Sequence, residues 1–274
     1  MKIISLMDDV CSSENLKYEH GFSLYLEIEG QKYLVDTGQS SKFIFNAKKL
    51  GVDIADIDAV FISHNHYDHT DGLPAFFKEN RKAKVYIKND AKFDFYATPF
   101  MKVSMKSGIY RNNRHRFFTI DKDYNLGNIH LLTDTVGDPE FFCQDKRLLM
   151  KKGKSFYPDE FNHELFIAIE MEDKVHVISP CSHRGIVNIL KTVKNTFNKE
   201  IGMVYAGLHM SASGGKKMNC KPEYFDNVCD ELNCIGFEML YTCHCTGLCA
   251  YDALKDRFKE RVAYAETGFE LKIQ

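Results

Sequence analysis

Ser63-His64-Asn65-His66-Tyr67-Asp68-His69-Thr70-Asp71-Gly72 sets three histidines and a carboxylate within six consecutive positions, directly after the apolar run Asp58-Ala59-Val60-Phe61-Ile62. That run reads as a buried strand by its length and β-branched content. A neutral imidazole is the commonest protein ligand for zinc, and carboxylate is its frequent companion. On an extended backbone His64, His66 and Asp68 point to one side and His69 to a neighbouring position, so two adjacent metal sites follow.

Around this stretch the 274-residue chain has the composition of an ordinary globular protein, 44% hydrophobic and 27% charged. A net charge of −2 gives no global field to recruit nucleic acid or an anionic membrane. No run approaches a membrane span and the first residues do not read as a signal peptide, so the cytoplasm is expected. Nine cysteines, an odd number, argue for reduced thiols. Six of them, Cys220, Cys229, Cys234, Cys243, Cys245 and Cys249, crowd the last quarter without any Cys-x-x-Cys pair, and they read as buried small hydrophobes.

Going outward, strands are predicted at Lys2–Leu6, Phe22–Ile28 and Gln31–Val35, the last ending at Asp36-Thr37-Gly38. A helix follows from Ser40 or Ser41 to the stop at Gly51, with Phe43, Ile44, Ala47 and Leu50 on one face. Beyond the histidine cluster come a helix from Gly72 and a strand at Ala83–Ile87, the β–α alternation of a layered α/β fold. Residues 90–159 read as an irregular insertion with Lys102, Lys106, Arg111, Arg114, His115 and Arg116 among Phe93, Tyr96, Phe100 and Tyr110. Such a segment can shape a pocket, with Arg111 and Arg114 as candidate phosphate-binding residues. A hairpin at Leu165–Ile169 and Val175–Ile178 restates the first half and runs into Cys181-Ser182-His183. Later strands at Met203–Gly207 and Phe237–Tyr241 run into His209 and His244, the Ser211–Gly215 loop reads as a lid, and a last helix is expected over Asp252–Ala265 before a strand at Phe269–Ile273. His20 and His163 each precede a strand and are candidates for the rim of the pocket, whereas His115, His130 and His176 read as surface or structural.

The pattern His64-x-His66-x-Asp68-His69, with Tyr33-Leu34-Val35-Asp36-Thr37-Gly38, Cys181-Ser182-His183-Arg184-Gly185-Ile186-Val187-Asn188-Ile189-Leu190, Gly207-Leu208-His209 and His244-Cys245-Thr246-Gly247, resembles the metallo-β-lactamase superfamily. Within it the chain is similar to the branch around the methanogen dihydropterin-ribofuranosylaminobenzene-phosphate synthase. The resemblance implies one αββα sandwich domain over residues 1–274, two mixed β-sheets flanked by helices. It implies that His64, His66 and His183 hold a first metal, and that Asp68, His69 and His244 hold a second. Asp36 would accept a hydrogen bond from a ligand histidine. One departure stands out. Many binuclear members carry a bridging aspartate where this chain has Gly207-Leu208-His209. His209 is then a replacement ligand or, the preferred reading, a group acting on substrate, which makes it and Asp68 the catalytic candidates. Pro180, where the family often has glycine, would stiffen the turn that carries His183.

One or two divalent transition metals are therefore expected, zinc first, with iron and manganese also suited to a His and carboxylate set. Such a site lowers the pKa of water and yields hydroxide at neutral pH. The expected activity is metal-dependent hydrolysis of a phosphorylated or pterin-like small molecule. Rival readings are a dihydropterin pyrophosphate-dependent transferase, a phosphodiesterase or nuclease, a diiron oxygen-reducing enzyme, and a non-enzymatic metal or redox sensor. Neither a membrane nor nucleic acid is expected as a partner, and a homo-oligomer is left open.

Overall fold

The computed structural model describes residues 1–98, 101–105, 107–211 and 217–273. Phe100, Lys106 and residues 212–215 of the expected lid lie outside the described residues. In chain order the elements begin with β1 (Lys2–Met7), β2 (Ser23–Ile28), β3 (Gln31–Val35), α1 (Lys42–Lys49), β4 (Ala59–Phe61), α2 (Tyr67–Thr70), α3 (Leu73–Glu79) and β5 (Lys84–Lys88). Next come β6 (Asp94–Ala97), α4 (Ser107–Asn112), β7 (Phe117–Ile120), β8 (Tyr124–Leu126), β9 (Ile129–Leu132), β10 (Leu148–Lys152) and β11 (Ser155–Pro158). The remainder are β12 (Phe166–Met171), β13 (Lys174–Ser179), α5 (Ile186–Phe197), β14 (Glu200–Ala206), α6 (Pro222–Ile235), β15 (Met239–Thr242), α7 (Gly247–Phe258), β16 (Val262–Tyr264) and β17 (Glu270–Lys272).

These elements form two units. The first joins Met1–Asp121, Lys146–His163 and the chain from Ala265 onward. Its seven-stranded sheet has the order β17-β1-β2-β3-β4-β5-β7, antiparallel from β17 to β3 and parallel from β3 to β7. A small antiparallel sheet, β11-β10-β6, accompanies it. The core gathers Ile4, Leu6, Leu34 and Val60 from the strands and Ile62 just past β4, with Phe43, Ala47, Leu73 and Phe76 from α1 and α3. Each large side chain so buried contributes about 1.5–3 kcal/mol. Asn46, on the buried face of α1, donates to the carbonyls of Leu6 and Lys17, both at 2.7 Å, so the polar group is not left unpaired in the core.

The second unit joins Lys122–Asp145 and Glu164–Tyr264. Its sheet has the order β16-β15-β14-β13-β12-β9-β8, with β13 to β16 mutually parallel. α5 buries Ile186, Val187, Ile189, Leu190 and Val193, and α6 buries Phe225, Val228 and Leu232 against the same core. Among the described residues no helix is long and apolar enough to cross a membrane.

Three expectations are corrected. Residues 90–159 are not uniformly irregular: β7 completes the edge of the first sheet, and β8 and β9 belong to the second. Their short, half-exposed runs give weak periodicity. The last helix starts at Gly247, not Asp252, and ends at Phe258, because Lys259 takes a left-handed φ of 54° and Val262–Tyr264 pairs with β15. Asp68 does not sit on an extended backbone. Tyr67 gives its N–H to the Val103 carbonyl at 2.7 Å and the chain enters the helical turn α2, which redirects Asp68 and His69.

Candidate metal centre

In the first unit the parallel neighbours β3 and β4 end side by side, so the loops that follow them meet. Asp36, one residue past β3, takes a left-handed φ of 57° and turns its carboxylate onto the loop after β4. Fully buried, it accepts from the Ser63 N–H at 2.8 Å, from the Ser63 hydroxyl at 2.6 Å, and from His69 Nδ1 at 2.7 Å. The last contact commits the His69 proton to Nδ1 and turns Nε2 into an acceptor. Ser63 Oγ also lies 2.9 Å from His64 Nδ1, which fixes that ring in turn. His64 Nε2 and His66 Nδ1 then face each other 3.1 Å apart. Two nitrogens on one tetrahedral zinc stand about 3.3 Å apart. The donor set and its spacing therefore fit a divalent transition metal. Burial pushes the His66 pKa down to about 3 and keeps its imidazole neutral, the state a metal ligand requires.

Around this group the loop 19–22 and a second histidine act as supports. His20, 43% exposed, lies 2.8 Å from Asp9 through Nδ1 and 3.3 Å from Asp68 Oδ2 through Nε2, and Asp68 Oδ2 lies 3.5 Å from His69 Nε2. His163 lines a pocket with Phe93, Phe95 and Asn162, and its ring nitrogens are engaged within the first unit. It is fully buried, its Nδ1 accepts the Asn65 N–H at 3.0 Å, its Nε2 meets Asp159 Oδ2 at 3.1 Å, and the tilted Phe95 ring lies 3.8 Å away. Burial pushes the Asp159 carboxyl up, but the adjoining His163 outweighs it and holds the group below its usual range. Arg111 and Arg114 project exposed from α4 and the turn before β7 and take no part in the hydrogen bonds of the histidine group. Arg116 is buried instead, donating to the carbonyls of Ala83 and Asn80.

In the second unit the parallel strands β13, β14 and β15 bring three loops to one edge of the sheet, where open α/β sheets place ligands. The loop after β13 carries Cys181 and His183, the loop after β14 carries His209, and the turn after β15 carries His244 and Cys245. Glu164 anchors the first: its two carboxylate oxygens accept the N–H groups of His183 at 2.7 Å and Arg184 at 2.8 Å. Thr246 Oγ1 accepts the Leu208 N–H at 2.9 Å and Cys245 Sγ the His209 N–H at 3.3 Å, which ties the second loop to the third. The packing is close. A Cβ on Gly207 would meet the Pro180 carbonyl at 2.0 Å and Cys245 Sγ at 2.8 Å. Ser182, His209 and His244 all take left-handed φ values, 49°, 48° and 45°, strain of the kind that collects at functional sites.

Two thiol and imidazole groups result. Cys143, His183 and His209 hold ligand atoms within 4.8 Å of one another, and so do Cys181, His244 and Cys245. The His183 and His209 rings lie 4.4 Å apart, tilted by 49°. Burial opposes protonation of His209, but Cys143 and Asp145 beside it outweigh that and raise its pKa well above the ordinary value. All nine cysteines are free thiols. Reading Cys245 only as a small hydrophobe missed this arrangement, since the four loops lie far apart in sequence and no short Cys spacing announces them. Glu164 and Ser63 were also missed. An acid just before a buried strand, and a hydroxyl just before the motif, were the available signals.

Residues 17–148 match the Metallo-beta-lactamase superfamily. The Methanocaldococcus jannaschii protein named 7,8-dihydropterin-6-methyl-4-(beta-D-ribofuranosyl)-aminobenzene-5′-phosphate synthase is 26% identical over 292 aligned positions, covering 100% of this chain and 97% of that protein. The crystal structure of Tm1679, described as a metal-dependent hydrolase of the beta-lactamase superfamily, superposes with a TM-score of 0.85 at 28% identity, covering 100% of this chain and 99% of that one. Zinc-bound PqqB from Methylobacterium extorquens shares the fold, with a TM-score of 0.60 at 13% identity over 100% of both chains. With the histidine motif after β4 and these likenesses along its whole length, the chain has the metallo-β-lactamase fold and is similar in sequence to members of that superfamily.

Proposed function

We propose that the protein is a metal-dependent hydrolase of a phosphorylated or pterin-like small molecule, with residues 1–274 as one catalytic domain in the cytoplasm. The observation that carries this reading is the buried His64 and His66 pair, 3.1 Å apart, with His69 oriented by Asp36. By resemblance, His64, His66 and His183 hold one divalent metal, zinc first, and Asp68, His69 and His244 a second. The metal, when bound, supplies Lewis acidity toward a phosphoryl or carbonyl oxygen and lowers the pKa of water. This chain's residues do the rest. Asp36 and Ser63 hold the ligand rings in the acceptor tautomer. Asp68, with His20 at 3.3 Å, would take a proton, and His209, whose pKa Cys143 and Asp145 raise, would give one to a leaving oxygen.

A second reading, group transfer instead of hydrolysis, is supported by the full-length similarity to a protein named as a synthase. One experiment separates the readings. Protein purified without chelator is analysed for metal, then assayed against phosphoesters and against a pterin pyrophosphate with and without an aromatic amine. Phosphoester or pyrophosphate cleavage without the amine, lost together with metal in His64→Ala, supports hydrolysis. Turnover that needs the amine supports transfer. A metal-loaded protein inert to all of these, or His64→Ala with full activity, overturns both.

A further inference from the structure

The pocket that His163 lines in the first unit is a cavity of about 190 Å³. That is about six water volumes and falls short of the roughly 300 Å³ at which sites for drug-sized ligands begin, so it suits a molecule of amino-acid size. Phe93, Phe95 and Met150 supply an apolar wall, and Asp90, Lys152 and Asn162 bring polar groups to the rest. None of the candidate metal ligands is among the described residues that line it. His163 and Phe95 pack in turn on the His66 ring, with centroids 5.4 and 6.4 Å away, so the cavity lies one side-chain layer from the metal centre.

The charges select the ligand. Asp90 stands in the turn after β5 and Lys152 at the end of β10. Among the described residues neither enters an ion pair, with the other or with a third group, and the Lys152 ammonium lies 6.0 Å from the Tyr157 ring centroid, at the far limit of cation–π attraction. Asn162 gives its amide N–H to Glu160 Oε2 at 3.1 Å, which leaves its carbonyl oxygen as an acceptor. A carboxylate and an ammonium that line one cavity without pairing are complementary to a ligand carrying the reverse pair. We infer that this cavity binds a free α-amino acid with an apolar or aromatic side chain. Its ammonium lies on Asp90 and the Asn162 carbonyl, its carboxylate on Lys152, and its side chain against Phe95 and Met150, a wall that favours rings and thioethers. The assignment does not depend on which reaction the metal centre carries out.

Isothermal titration calorimetry on the full chain tests this with L-phenylalanine and L-methionine, each against its amide, which lacks the carboxylate, and its N-acetyl form, which lacks the ammonium. One amino acid per chain is expected to bind, with the amide and the N-acetyl form about 10–100-fold weaker, the range that loss of a charged hydrogen bond gives. Lys152→Met should bind acid and amide equally, and Asp90→Asn should bind the acid and the N-acetyl form equally. Lys154→Met, exposed between β10 and β11, should bind as the unaltered protein does. Neither Asp90 nor Lys152 belongs to a hydrophobic core, so these variants keep the fold. Binding is also expected to survive removal of metal by a chelator. Binding lost with the metal places the amino acid on the metal and overturns the inference. No saturable binding of either amino acid at millimolar concentration, an amide as tight as its acid, or unaltered affinity in both variants overturns it as well. Each of these outcomes leaves the metal-centre reading standing.

Discussion

Replacing Asp36 by Asn tests the most heavily connected group in the first unit. The carboxylate accepts from Ser63 N, Ser63 Oγ and His69 Nδ1 at 2.8, 2.6 and 2.7 Å. Asn preserves size, and it tolerates the left-handed φ of 57° that Ala would strain, so the change isolates the acceptor chemistry. In one amide orientation the NH2 faces His69 Nδ1, and the ring must move its proton to Nε2, the nitrogen a metal needs. In the other orientation the NH2 opposes the Ser63 N–H. Either way one buried donor loses its acceptor, which costs about 1–3 kcal/mol. Losing the partner that orients a ligand histidine lowers metal affinity about 10–100-fold, or roughly 1.4–2.7 kcal/mol. Titration against a competing chelator measures the affinity, and thermal unfolding of the metal-free protein measures the stability cost. Unchanged affinity in a folded Asp36→Asn protein would refute the claim that Asp36 sets the His69 tautomer.

Ser63→Ala removes the hydroxyl between Asp36 and His64 and is expected to weaken metal binding about 10-fold, read by the same titration; no effect would mean the hydroxyl does not orient His64. Glu164→Gln leaves one side-chain oxygen for the two N–H groups of His183 and Arg184, and denaturant unfolding should show a loss of about 1–3 kcal/mol. Burial holds the His176 pKa below its ordinary 6.5 while its Nδ1 accepts the Met203 N–H at 2.9 Å. The folded chain thus takes up this proton less readily than the unfolded one, so the contribution to stability is complete above pH 6.5 and is lost as pH falls through the lowered folded value. The Tm of the wild type should drop more steeply than that of His176→Gln over that acid range, and parallel profiles would count against the assignment.

Much of this was legible in the chain itself. The apolar run before His64 and the helical stripe of α5 are local periodicities, and they gave both the strand exits and the ligand candidates. What could not be read was set by long-range register. Which loops lie side by side depends on the parallel order β13-β14-β15, and no local pattern tells that Cys245 will accept a hydrogen bond from His209, 36 residues away. His163 was legible as a pocket candidate because it precedes a strand, but its partners were not. Asp159 and Asn65, one close in sequence and the other 98 residues distant, turn it into a clamp.

β17 closes the edge of the first sheet against β1, and the first unit is assembled from three separate pieces of chain. On the ribosome, the backbone edge of β1 must therefore wait while the whole second unit is synthesised. An unpaired strand edge is a template for wrong pairing between chains. Nascent chains stalled before residue 270 should consequently recruit a chaperone or aggregate, and the yield of folded protein should depend more on the final few residues than their small contribution to the core suggests.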